Sequence, residues 1–150
     1  MIQRKQTIFL LISFIVLIIC LCLPIGILEP SGMAAPSKMT NLWIIDANGA
    51  KDFKVWPLFA ILLVTLPLHL FIIFDYKNRK RQIRFCSVTI FLILAWHFAI
   101  LFISKFMLGD LGFHIEYASF LPIGSLILLI FARKSIQADE ALVRAADRIR

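Results

Sequence analysis

The sequence predicts an all-α membrane protein: a bundle of four transmembrane helices, both termini cytoplasmic, with a charged helical C-terminal tail. Three observations predict it. Residues 7–28, 55–74, 85–104 and 117–132 contain no Asp, Glu, Lys or Arg, so every charge sits between these stretches or at the ends. A composition of 61% hydrophobic and 17% charged residues lies far from that of a soluble domain. Finally, twelve of the sixteen basic residues fall in the three segments that a four-span chain leaves on one side.

Length supports each span in turn. At about 1.5 Å per residue, roughly 20 residues cross a hydrocarbon layer about 30 Å thick. The first three stretches meet that length. The fourth is shorter, so it borrows residues from a flank, giving a span of about 115–132, or sits in thinned bilayer. Only helices and closed barrels satisfy their own backbone in lipid. A barrel strand alternates apolar and polar residues, and runs such as Ile8-Phe9-Leu10-Leu11-Ile12 do not. The expected organisation is a transmembrane domain over residues 1–136 followed by a cytoplasmic tail over 137–150.

The formal charge of +7 is segregated rather than spread. Arg4 and Lys5, then Lys77, Arg79, Lys80, Arg81 and Arg84, then Arg133, Lys134, Arg144, Arg148 and Arg150 share one side, against Lys38, Lys51, Lys54 and Lys105 on the other. The positive-inside rule puts the first group, and both termini, in the cytoplasm. Membrane lipids are the expected partners of the basic loop, through Lys77, Arg79, Lys80, Arg81 and Arg84. Nucleic-acid binding is not expected, since no reading module accompanies the charge.

The first span reads as a retained helix, because its apolar run exceeds the roughly 7–15 residues of a signal peptide. In the loop over 29–54, Pro30, Gly32 and Pro36 disfavour regular structure in the first half. A short strand-like stretch over 41–46 and a turn at Asn48-Gly49 follow. Trp43, Phe53 and Trp56 suit the headgroup level. The basic connection over 75–84 makes spans two and three an antiparallel hairpin. Residues 105–116, with Gly109 and Gly112, read as a tight turn. In the tail, Leu142, Ala145, Ala146 and Ile149 recur at helical spacing and Glu140 stands four residues before Arg144, so the fourth helix continues beyond the membrane.

Ionisable residues inside spans are the natural functional candidates in a membrane protein. There are two, His69 and His97, separated by about 10 Å in depth, each expected to hydrogen-bond to a neighbouring helix. Should the fourth helix start early, His114 and Glu116 enter the outer leaflet and join His97 in a small polar site. The alternative is that Glu116 only marks the helix start, where the dipole suits it. Cys20 and Cys22 point to nearly opposite sides of a helix, and Cys86 lies at the far end of another span, so no disulfide is expected. Pro24, Pro67 and Pro122 interrupt three spans, and Gly124-Ser125 offers a close helix contact. No phosphate-cradling loop, nucleophile elbow or metal-ligand spacing occurs. The protein is expected not to be an enzyme and to hold no cofactor or metal.

The two ends carry a resemblance. Met1-Ile2-Gln3-Arg4-Lys5-Gln6-Thr7 leads straight into an apolar span, and Asp139-Glu140-Ala141-Leu142-Val143-Arg144-Ala145-Ala146-Asp147-Arg148-Ile149-Arg150 closes the chain. With the basic Asn78-Arg79-Lys80-Arg81-Gln82-Ile83-Arg84 loop, they resemble the bacterial four-helix membrane proteins catalogued as domain of unknown function 4293. That resemblance implies a bacterial inner-membrane protein and no particular activity. The expected role is an accessory or assembly subunit that meets another membrane or cytoplasmic protein through Asp139, Glu140, Arg144, Asp147, Arg148 and Arg150. The alternative is a small transporter or channel using His97, His114 and Glu116.

Overall fold

A computed structural model of the chain describes residues 3–29, 35–108 and 112–147. Helix α1 spans Gln3–Cys22, α2 Trp56–Phe74, α3 Arg79–Phe102 and α4 Leu121–Asp147. A π-helical turn, Ile103–Met107, prolongs α3, and a 3-10 turn, Tyr117–Phe120, leads into α4. Four candidate spans, Lys5–Cys22, Trp56–Phe74, Arg79–Met107 and Tyr117–Ala146, are long and apolar enough to cross a membrane. Packing follows ring order: α1 on α2, α2 on α3, α3 on α4, and α4 back on α1.

Each helix turns the same kind of stripe inward. Buried positions are Gln6, Leu10, Ser13, Leu17 and Cys20 on α1, and Leu58, Leu62, Thr65, His69 and Ile72 on α2. On α3 they are Gln82, Cys86, Thr89, Ile93, Trp96 and Ile100, and on α4 Ser125, Leu129, Ala132, Ile136 and Asp139. Every stripe alternates steps of four and three residues. That 3.5-residue repeat keeps one seam facing the partner helices, as in a left-handed coiled coil. Large apolar residues such as Phe91, Phe98, Leu63 and Ile127 point outward and are exposed, the arrangement suited to lipid.

The protein is not all-α. Five short antiparallel strands, β1 Gly26–Glu29, β2 Ser37–Met39, β3 Ile44–Ile45, β4 Lys51–Asp52 and β5 Gly112–Ile115, form one sheet in the order β4-β3-β2-β1-β5. It caps the end of the bundle opposite the 75–84 connection. Three expectations change here, the first being irregular structure in the first half of the 29–54 loop, where β2 pairs with β1 at Ser37–Met39. Residues 26–28 belong to the first apolar run, yet they are strand, because α1 stops at Cys22. Pro24 brings no N–H for another helical bond, and a residue before proline disfavours the helical region. Residues 112–115, expected in a tight turn, pair with β1 from Gly26↔Ile115 to Glu29↔Gly112. The turn at 46–49 forms as its sequence suggests: Gly49 takes φ +79° and its N–H donates to the Asp46 carbonyl at 2.8 Å.

The prolines fall differently from the expectation of three interrupted spans. Pro67 lies inside α2, Pro24 lies beyond the end of α1, and Pro122 is the second residue of α4, where proline is well tolerated. Gly124 faces open space, and the close contact belongs to its neighbour Ser125. Cys20 is buried and Cys22 exposed.

Candidate functional site

Polar side chains occupy the bundle interior at three levels. At the sheet end, Asn41 is fully buried. Its Nδ2 donates to the Cys20 carbonyl at 2.8 Å, and its Oδ1 accepts from Trp96 Nε1 at 3.1 Å. The Cys20 carbonyl would ordinarily receive the N–H four residues on, but that residue is Pro24, which has none. Asn41 supplies the missing donor. Its own carbonyl accepts from the N–H of Phe59 at 3.1 Å, so one residue of the cap ties α1, α2 and α3 together.

Midway along the bundle, His69 Nε2 lies 3.0 Å from Ser13 Oγ, and Ser13 Oγ lies 2.6 Å from Ser125 Oγ. His69 Nδ1 lies 3.0 Å from the Thr65 carbonyl. That carbonyl can only accept, so Nδ1 carries the proton and Nε2 accepts from the Ser13 hydroxyl. All three side chains have no exposed surface. The arrangement links α1, α2 and α4 in the packed interior.

At the opposite end, Gln6 donates to Asp139 Oδ2, and Arg79 Nη1 donates to the Asp139 carbonyl at 3.2 Å. Gln82 Nε2 donates to the Ile72 carbonyl at 2.8 Å, satisfying one of the carbonyls that the last turn of α2 leaves free. The beginning of α1, the C-terminal part of α4 and the 75–84 connection therefore meet here. Asp75, just past α2, takes Arg81 in a two-point contact with both N···O distances at 2.5 Å. The Arg81 guanidinium holds the Asp75 carboxyl below its ordinary range. A carboxyl depressed by folding contributes stability above its unfolded value and loses it as pH falls through the folded one. Acidification below about pH 3.8 is thus expected to loosen the α2–α3 connection in wild type. Proteolysis or hydrogen exchange of residues 75–84 checks this, with Asp75→Asn loosened already at neutral pH.

An open cleft of about 730 Å³ separates the basic connection from α4, with Lys77, Lys80 and Arg84 on one wall and Glu140 and Val143 on the other. The tail residues are not equivalent. Asp139 is buried and its carboxylate accepts from Gln6. Glu140 pairs with Arg144 at 3.0 Å, as the four-residue spacing suggests. Arg148, Arg150 and the side chain of Asp147 lie outside the described residues.

The site expected from His97, His114 and Glu116 does not assemble. His114 Nε2 faces Glu29 at 3.5 Å across the β1–β5 pair. The Glu116 N–H donates to the Ile25 carbonyl at 3.0 Å. His97 bonds through Nδ1 to Ile93 of its own helix at 2.8 Å, not to a neighbouring one, and its buried Nε2 has no partner. Among the described residues no hydrogen bond or ion pair joins the three. His69, by contrast, reaches α1 as its position suggests. The residues without a signal in charge or motif are Gln6, Ser13 and Asn41, while Ser125 makes the close helix contact expected of the Gly124-Ser125 pair. For Gln6, Ser13 and Ser125 the signal is polarity recurring at inward heptad positions, invisible to a search for charge, whereas Asn41 lies in the loop between β2 and β3 and carries no such pattern.

The fold is a ring of four helices long and apolar enough to cross a membrane, pinned by polar contacts at three levels and closed at one end by a sheet drawn from two connections. The chain belongs to the family described as Domain of unknown function (DUF4293), whose family model matches residues 2–149. No curated protein matches it.

Proposed function

We propose that the protein is integral to the bacterial inner membrane, with both termini in the cytoplasm. We infer further that it is a non-enzymatic accessory or assembly subunit whose charged end receives a partner. One observation carries the reading: the basic connection and the α4 tail line the same cleft. Segments far apart in the chain thus build one charged surface, beside exposed Leu142 and Val143. Orientation follows from the excess of Lys and Arg at that end. Glu140 and Arg144, with Asp147, Arg148 and Arg150 beyond them, are the residues assigned to the contact.

The test is truncation of residues 141–150 in the full chain, which spares Asp139 and its bond to Gln6. Crosslinking pull-down from native membranes is expected to lose the co-purifying protein while the truncated chain accumulates normally. An identical set of captured proteins overturns the reading. A reporter fused to the C-terminus checks the orientation, and activity of a reporter that works only outside the cytoplasm overturns it.

A further inference from the structure

We propose that the cleft between the basic connection and α4 holds the headgroup phosphate of an anionic glycerophospholipid, gripped by Lys77, Lys80 and Arg84. The proposal deepens the reading above, since it rests on the charged end lying at the membrane boundary.

The five basic residues of the connection divide into two sets. Arg81 is matched to Asp75 and Arg79 points to the Asp139 carbonyl. Lys77, Lys80 and Arg84 are exposed, and no carboxylate pairs with them among the described residues. Glu140, on the facing wall, is taken by Arg144.

Their placement is unfavourable without an anion. Lys80 and Arg84 stand four apart on one face of α3, where like charges repel. The first turn of α3 contains no acidic residue and carries Arg79, Lys80 and Arg81 at the positive pole of the helix dipole. An anion in the cleft offsets the repulsion between the basic side chains and complements the positive pole of the helix.

What makes that anion a lipid is the neighbouring surface. A second depression of about 430 Å³, lined by Phe71, Phe74 and Phe85, meets the first at Arg81, which lines both. Phe74 is 74% exposed and Phe71 63% exposed. A phosphate seated among Lys77, Lys80 and Arg84 leaves an acyl chain free to run along this aromatic groove toward the middle of the bundle. Free phosphate would use only the first depression.

The experiment is native mass spectrometry of the full chain in neutral detergent, with phosphatidylglycerol, phosphatidylcholine of the same acyl chains, or inorganic phosphate. Phosphatidylglycerol is expected to be retained at least about ten-fold over phosphatidylcholine and to withstand excess inorganic phosphate. Each of Lys77→Gln, Lys80→Gln and Arg84→Gln is expected to lower retention about five-fold, and the triple variant to abolish the preference. Removing equal charge at the sheet end, by Lys38→Gln, Lys51→Gln and Lys105→Gln, is expected to leave it unchanged. An undiminished preference in the triple variant, an equal loss in the sheet-end variant, or displacement by inorganic phosphate overturns the proposal. The measurement contains only protein and lipid, so a failed search for a protein partner leaves its outcome untouched.

Discussion

Replacing Asn41 by Leu is expected to destabilise the folded protein by about 2–4 kcal/mol. The shape is nearly conserved, so little of the loss comes from a cavity. Two buried groups lose their partners instead: the Cys20 carbonyl and the Trp96 indole N–H. The carbonyl has no second recourse in its helix, because Pro24 offers no N–H. Unfolding by denaturing detergent, followed through Trp fluorescence or circular dichroism, measures the loss. A double-mutant cycle adds a sharper check. Trp96→Phe removes the indole donor, so Asn41→Leu in that background should cost less than in the wild type. A cost within about 0.5 kcal/mol of zero, the level of ordinary surface changes, would show that the cap is not coupled to the bundle through this residue.

His69→Ala is expected to cost about 2–4 kcal/mol, combining an unfilled space in a packed interior with lost interhelical bonds. Ser13→Ala is expected to cost less, about 1–2 kcal/mol, because it deprives His69 Nε2 and Ser125 Oγ of a partner but leaves the imidazole in place. The two effects should not add, since both remove the same Ser13–His69 bond. The physical ground is the position of the network. It joins α1 to α2 and α4 where the surrounding stripe positions, Leu10, Leu17, Leu62 and Leu129, are apolar and buried. Hydrogen bonds between membrane helices average only about 0.6 kcal/mol, so most of the expected loss is packing. Additive costs, or a Ser13→Ala variant as unstable as His69→Ala, would refute that division.

The helices and the basic end were the legible part of this molecule. Charge-free stretches gave the four long helices, and the run of Lys77 to Arg84 gave the hairpin between α2 and α3. Glu140 and Arg144 pair as their spacing indicates. The end of α1 was misjudged because hydropathy does not distinguish a helix from a strand under it: Gly26-Ile27-Leu28 is as apolar as the residues before it. Only Pro24 signalled the stop. The β5 strand was missed because four residues containing a Gly and a His carry no alternation worth reading, and its partner β1 lies far away in the chain.

The polar positions divide along the same line. Residue types and their order, a property of the sequence by itself, determined that four apolar helices form, that the beginning of α1, the C-terminal part of α4 and the 75–84 connection share one end, and that this end is strongly basic. Those outcomes follow from solvation, which each segment settles alone. Which polar residues meet was decided only by the tertiary structure. Asn41 finds Trp96, Ser13 finds His69 and Ser125, Gln6 finds Asp139, and the His97, His114 and Glu116 set disperses. Such pairings depend on helix rotation and on depth in the bundle, fixed by the heptad seam and by where the sheet clamps the helix ends. The charged cleft has the same origin: its two walls, Lys77 to Arg84 and Glu140, face each other only because α3 packs against α4.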